Sequence, residues 1–165
     1  MGGTLTDQSA SSINIKLVDA IGNVPVNQDE AYRLTITPKA ITVEAVAERG
    51  VYWAMQTLYQ LKEEKGKKIR LQCGTITDWP AFRIRGFMQD VGRSYLSLEE
   101  LKREIAILSR FKINTFHWHL TENQAWRLES KIFPMLNDSA NMTRMAGKYY
   151  TLEEARELTK FCKAH

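Results

Sequence analysis

The chain has 165 residues, of which 44% are hydrophobic and 25% charged, with 23 Lys plus Arg against 19 Asp plus Glu for a formal net charge of +4. That balance belongs to a globular chain able to bury a core, and it excludes a disordered or low-complexity protein. No run approaches the ~18 apolar residues of a membrane-spanning helix, and no basic stripe interleaved with aromatics marks a nucleic-acid surface.

Residues 1–12, MGGTLTDQSASS, are small and polar and are expected to be poorly ordered. Strands are predicted at 13–19, 32–38 and 40–46. The last two alternate cleanly, with Tyr32, Leu34 and Ile36 on one face and Ile41, Val43 and Ala45 on the matching one, so they read as a hairpin. A helix is predicted over 49–66, where Val51, Ala54, Met55, Leu58 and Leu61 recur at helical spacing. The lysines of KEEKGKKIR (62–70) suit the negative end of that helix, which is expected to stop at Gly66. IRLQCGTI (69–76) reads as one further strand. Together these make a small α+β domain over 13–78, an antiparallel sheet carrying a helix, with nothing chemical in it. Cys73 and Cys162 stand far apart in no metal or redox spacing and read as free thiols.

The pattern changes after Asp78-Trp79-Pro80. FRIRGFMQDV (82–91) is a mostly apolar strand that ends at Asp90. SLEE (97–100) is a capping box for a helix to about Lys112, with Leu101, Ile105, Leu108 and Phe111 facing inward. NTFHWHL (114–120) is another strand. KIFPML (131–136) is expected to pack, NDSANMTRMAGKYY (137–150) to loop, and TLEE (151–154) to cap a final helix. Strand, helix, strand, loop, helix is the opening of a parallel α/β fold, placed at 79–165.

Chemistry in such folds collects at the carboxyl ends of the strands. There the sequence sets Asp90 and Arg93 after one strand, and Glu122, Asn123 and Gln124 after the next. Carboxylates, amides and a guanidinium are what sugar hydroxyls need, since each hydroxyl both donates and accepts. Trp118 and Trp126 offer an apolar face for a pyranose ring. Asp90 with Arg93 is equally readable as a surface ion pair, and Trp118 as a core residue. His117 and His119 share one strand face, which leaves open either a metal grip or interior histidines satisfied by carboxylates.

RIRGFMQDVGRSYLSLEELKREIAILSRFKINTFHWHLTENQAWRLE (83–129) resembles the opening of the catalytic barrel of glycoside hydrolase family 20, the β-N-acetylhexosaminidases. The shared features are Arg-Gly, then Asp90 and Arg93, a helix, Asn-x-Phe-His-Trp-His-Leu, an acidic-amide pair and Trp-Arg. YRLTITPKAITVEAVAERGVYWAMQTLYQL (32–61) is similar to the family's small N-terminal domain. The resemblance implies removal of terminal β-linked N-acetylglucosamine or N-acetylgalactosamine by the substrate's own acetamido oxygen, with an adjacent Asp and Glu as orienting residue and acid-base. It implies a carbohydrate partner and no cofactor, metal, nucleic acid or membrane. The family is usually secreted, periplasmic or lysosomal. Arg93, with Asp90, Glu122, Asn123 and Trp126, would bind the sugar, and Glu122 would also stand where the family has an acid supporting a distal histidine. Ser94 replaces a frequent histidine, and Glu122-Asn123 a frequent Asp-Asp. A (β/α)8 barrel needs about 250 residues, so the chain is expected to hold two βα units, with the catalytic Asp-Glu pair beyond His165. The alternatives are a non-catalytic scaffold domain and a metal-dependent TIM-barrel hydrolase using His117 and His119.

Overall fold

A computed structural model describes residues 12–66 and 68–165. The expectation of disorder for residues 1–12 therefore falls almost wholly outside the described residues. The chain divides into two compact units, Met1–Arg83 and Ile84–His165.

In the first unit, β1 (Ile13–Leu17), β2 (Tyr32–Ile36), β3 (Ile41–Ala45) and β6 (Gly74–Asp78) form one sheet in the order β1-β3-β2-β6; α1 (Glu48–Leu61), β4 (Glu63–Lys65) and β5 (Lys68–Arg70) lie between β3 and β6 in the chain. β2 pairs antiparallel with β3 and with β6, as the hairpin signal requires. β1 joins parallel to β3, so the sheet is antiparallel in three strands and mixed at that edge. Alternation puts Tyr32, Leu34, Ile36, Ile41, Val43 and Ala45 on one buried face, which packs against Trp53, Ala54 and Leu58 of α1. The indole Nε1 of Trp53 donates to the buried Glu30 carboxylate at 2.7 Å, satisfying a polar atom inside this layer.

The expected helix end moves. α1 stops at Leu61, and the charged run beyond it folds as the β4–β5 hairpin. Gly66 turns that hairpin at φ 64°, a left-handed conformation that glycine adopts without steric cost. Lys65 and Lys68 therefore stand in the hairpin, whereas Lys62 is the C-cap residue of α1, at the negative end of the helix. The single strand expected at 69–76 is likewise two pieces, β5 pairing with β4 and β6 with β2.

In the second unit, β7 (Gly86–Asp90) and β8 (Thr115–His119) pair in parallel, joined through α2 (Leu98–Arg110). A two-residue hairpin, β9 (Thr121–Glu122) with β10 (Ala125–Trp126), follows, and α3 (Leu152–Ala164) closes the unit. Both capping boxes form: the Ser97 and Thr151 hydroxyls accept from the Glu100 and Glu154 amides, and those glutamates reach back. Val91, Leu101, Ile105, Tyr150 and Leu158 make the buried cluster, with Phe116, Trp118 and Leu120 packed against it. Phe111 departs from the inward expectation: it caps α2 at the start of a turn and is 70% exposed. Ile132, Phe133 and Met135 are exposed as well, so KIFPML does not pack within this unit. Among the described residues no helix is long and apolar enough to cross a membrane.

Candidate functional site

The parallel register sets Asp90 opposite His119 at the carboxyl ends of β7 and β8. Beyond Asp90 the chain turns over the end of β8, where the amides of Val91 and Gly92 both donate to the His119 carbonyl at 3.0 and 3.3 Å. Val91 is fully buried in the core cluster, which fixes the start of this turn. Gly92 is buried too: a Cβ there would lie 2.9 Å from the Glu122 Cβ and 3.2 Å from its backbone nitrogen. Only a residue with no side chain lets the turn approach Glu122 so closely.

Arg93 emerges from this turn and bridges the two strand ends. Its amide donates to Asp90 Oδ1 at 3.0 Å, and its Nη1 pairs with Asp90 Oδ2. Its Nη2 lies 2.7 Å from Glu122 Oε1, the oxygen that also meets His119 Nε2 at 3.0 Å. Burial pushes the Asp90 carboxyl up, but the Arg93 amide, guanidinium and charge, with His119, outweigh it and hold Asp90 below its usual range. The bond to Asp90 chiefly raises the Arg93 guanidinium, aided by Glu122 against desolvation. The Arg93 side chain is 51% exposed, whereas Asp90 and Glu122 are 19% and 22% exposed. Two largely covered carboxylates thus hold a half-exposed guanidinium at the strand ends.

Asp90, Arg93 and Glu122 are therefore brought together, with His119 as the fourth member. Asn123 and Trp126 lie on the exposed side of the β9–β10 hairpin, and no described contact joins either to Arg93. Trp118 is no sugar platform, since its ring meets the Tyr150 ring edge-on at 4.6 Å in the core cluster. The His117 side chain is exposed in this chain, its ring 6.1 Å from that of His119. Asp90, His119 and Glu122 place ligand-type atoms within 4.8 Å of one another, but the Arg93 cation already binds both of these carboxylates. The sequence does hold one adjacent Asp-Glu, Asp29–Glu30, in the first unit; its glutamate is buried against the Trp53 indole.

Arg127 stands in the sequence only as the second residue of the shared Trp-Arg pair, with no role assigned to it. It is fully buried, and among the described residues no carboxylate pairs with it. Its guanidinium donates to five carbonyls: Val91 at 3.0 Å and Gly92 at 3.3 Å, then Arg144 at 2.8 Å, Met145 at 3.0 Å and Lys148 at 2.7 Å. The only signal was its place directly after Trp126, the last residue of β10. Residues 144–148 are accordingly tied down rather than simply looping.

The family model described as glycosyl hydrolase family 20, catalytic domain, matches residues 82–165, and that of the same family's domain 2 matches residues 2–79. A beta-hexosaminidase of Porphyromonas gingivalis is 34% identical over 183 residues, covering 95% of this chain and 23% of its own length. One from Vibrio furnissii is 36% identical over 151 residues, covering 83% of this chain and 25% of its own length. Among solved structures, the GH20 exo beta-N-acetylglucosaminidase of Vibrio harveyi in complex with N-acetylglucosamine superimposes with a TM-score of 0.79 at 31% identity, over 92% of this chain and 25% of that one. The beta-N-acetylhexosaminidase of Bacteroides fragilis gives a TM-score of 0.79 at 33% identity, over 91% of this chain and 30% of that one. The chain thus spans about a quarter of the length of these relatives.

Proposed function

This chain belongs to glycosyl hydrolase family 20, and on that footing we propose that its second unit supplies part of the sugar pocket of an exo-acting β-N-acetylhexosaminidase. The substrate is the terminal β-linked N-acetylglucosamine or N-acetylgalactosamine of a glycan. The reaction is retaining hydrolysis in which the acetamido oxygen of the substrate attacks its own anomeric carbon. The observation that supports this reading is the Asp90–Arg93–Glu122–His119 cluster at the ends of two paired parallel strands. Arg93 donates to hydroxyls of the non-reducing-end sugar, while Asp90 and Glu122 hold its fork in place. Glu122 also orients His119, a supporting role and not one of proton transfer to the sugar. Asn123 and Trp126 border the site as further sugar contacts.

The test is turnover of p-nitrophenyl N-acetyl-β-D-glucosaminide by the full-length protein, beside the glucoside that lacks the acetamido group. The acetamido substrate should be strongly preferred, and equal turnover of the two would remove the substrate-assisted route. Arg93→Ala should lower kcat/KM by about ten-fold to a few hundred-fold, the range for losing hydrogen bonds from a charged donor. Arg93→Lys should restore little, because an ammonium lacks the planar fork. An unchanged kcat/KM in Arg93→Ala would take the sugar site off this strand end.

A further inference from the structure

We propose that Arg127 is the positioning residue for Arg93, acting through the backbone of the turn that carries it. The proposal deepens the sugar-site reading above and rests on it. Five backbone carbonyls take the N–H groups of Arg127, and its Nη1 also meets the Met142 sulfur at 3.6 Å, so the guanidinium is saturated without any carboxylate among the described residues. Two of those carbonyls, Val91 and Gly92, belong to the two residues between Asp90 and Arg93. The amides of the same two residues are held from the other side by the His119 carbonyl. The turn is therefore fixed along both edges, by β8 through its N–H groups and by Arg127 through its C=O groups.

That clamp sets where Arg93 can reach. Arg93 leaves the chain one peptide after Gly92, and its two ion-pair partners stand on different strand ends. Gly92 lies so near Glu122 that even an added Cβ would crowd it at 2.9 Å, which leaves the turn little room to relax toward β9. Without Arg127 it is free to move the other way, taking the fork from Glu122 and from the sugar. The remaining three carbonyls tie residues 144–148 to the same guanidinium. The amide of Tyr95, two residues beyond Arg93, meets the Met145 sulfur at 3.1 Å, so this loop backs the segment that follows the turn. Lysine cannot substitute, since an ammonium has three donors and no fork.

In the full-length protein, Arg127→Lys and Arg127→Gln should each lower kcat/KM on the N-acetylglucosaminide about ten-fold or more, with lysine giving little rescue. On an Arg93→Ala background the same changes should cost no more than about two- to three-fold, because the residue they position is gone. An equal loss on both backgrounds would make Arg127 a stability residue only, and wild-type activity in Arg127→Lys would overturn the proposal outright. No effect of Arg93→Ala would instead strike the sugar-site reading. If neither Arg127 variant folds, hydrogen exchange of the wild-type protein decides. Saturating N-acetylglucosamine should slow exchange in 91–96 and in 142–148 together, and protection confined to 91–96 would refute the coupling.

Discussion

Gly50 stands in the first turn of α1, where replacement by alanine tests whether helix propensity or packing controls the first unit. In an unobstructed helix interior, alanine is favoured over glycine by about 1 kcal/mol. Here the added Cβ would lie 2.3 Å from the Ala31 carbonyl oxygen, 3.2 Å from its carbonyl carbon and 3.0 Å from the Ala45 Cβ. Relief requires about 1 Å of separation, and neither obstacle is a flexible side-chain tip. Both belong to fully buried residues that lead into β2 and end β3. Overpacking of this kind costs about 1–3 kcal/mol, and rigid obstacles favour the upper end. Gly50→Ala should therefore be net destabilising by about 1–2 kcal/mol. At roughly 4–8 °C per kcal/mol for a domain of this size, the melting midpoint should fall by about 5–15 °C. Gly74→Ala is the matched control, because nothing lies within 4 Å of its added Cβ; it should be neutral or slightly stabilising. Thermal melts of the chain and both variants by circular dichroism read the outcome. If Gly50→Ala melts at or above wild type, the close approach of α1 to the Ala31 backbone is not a packing constraint and the reasoning fails.

Leu101→Ala, at a fully buried position of α2, should lose about 2–5 kcal/mol in urea unfolding. A loss well below that range would mean the α2–α3 core collapses around the gap. Asp90 is held below its usual value of 3.8, so its contribution is complete above the ordinary carboxylate range and is lost only as pH falls through the depressed value. Its carboxyl, followed by NMR, should titrate below 3.8 and move back up in Arg93→Ala, and a midpoint insensitive to that change would contradict the ion pair. Elemental analysis should find no stoichiometric zinc, since Arg93 already bridges two of the three candidate ligands. One zinc per chain, lost in His119→Ala, would reverse that expectation.

Features set by near neighbours were legible in the sequence. Tyr32, Leu34 and Ile36 alternate because every second residue meets α1, and the Ser97 and Thr151 boxes close within four residues. The charged run 62–70 was not legible, because a solvated helix end and an exposed hairpin ask for the same residues. Gly66 does not separate them, because a glycine at positive φ ends a helix as readily as it turns a hairpin, and only the pairing of β4 with β5 does so. Phe111 looked like the next residue of the apolar stripe, but the helix ends one residue before it. Of the site, Asp90, Arg93 and Glu122 could be found because strand ends concentrate function and their charges are conspicuous. Arg127 could not, because its partners are carbonyls, which every residue possesses and no sequence distinguishes. Gly92 was hidden for a related reason: the atoms it makes room for belong to a residue thirty positions later.

The parallel pairing of β7 with β8 ties the accuracy of the site to the oiliness of the strand beneath it. His119 faces Asp90 only in the observed register, in which Phe116, Trp118 and Leu120 pack on the core and His117 stays exposed. Sliding β8 by one residue would bring Trp118 or Leu120 opposite Asp90 and turn both histidines toward Leu101 and Tyr150. That slip would also expose three apolar side chains, at roughly 1–2 kcal/mol each for partly buried groups. The same alternation that fills the core therefore acts as a ruler for the polar cluster. A one-residue error in strand alignment is penalised by hydrophobic exposure before any sugar is met.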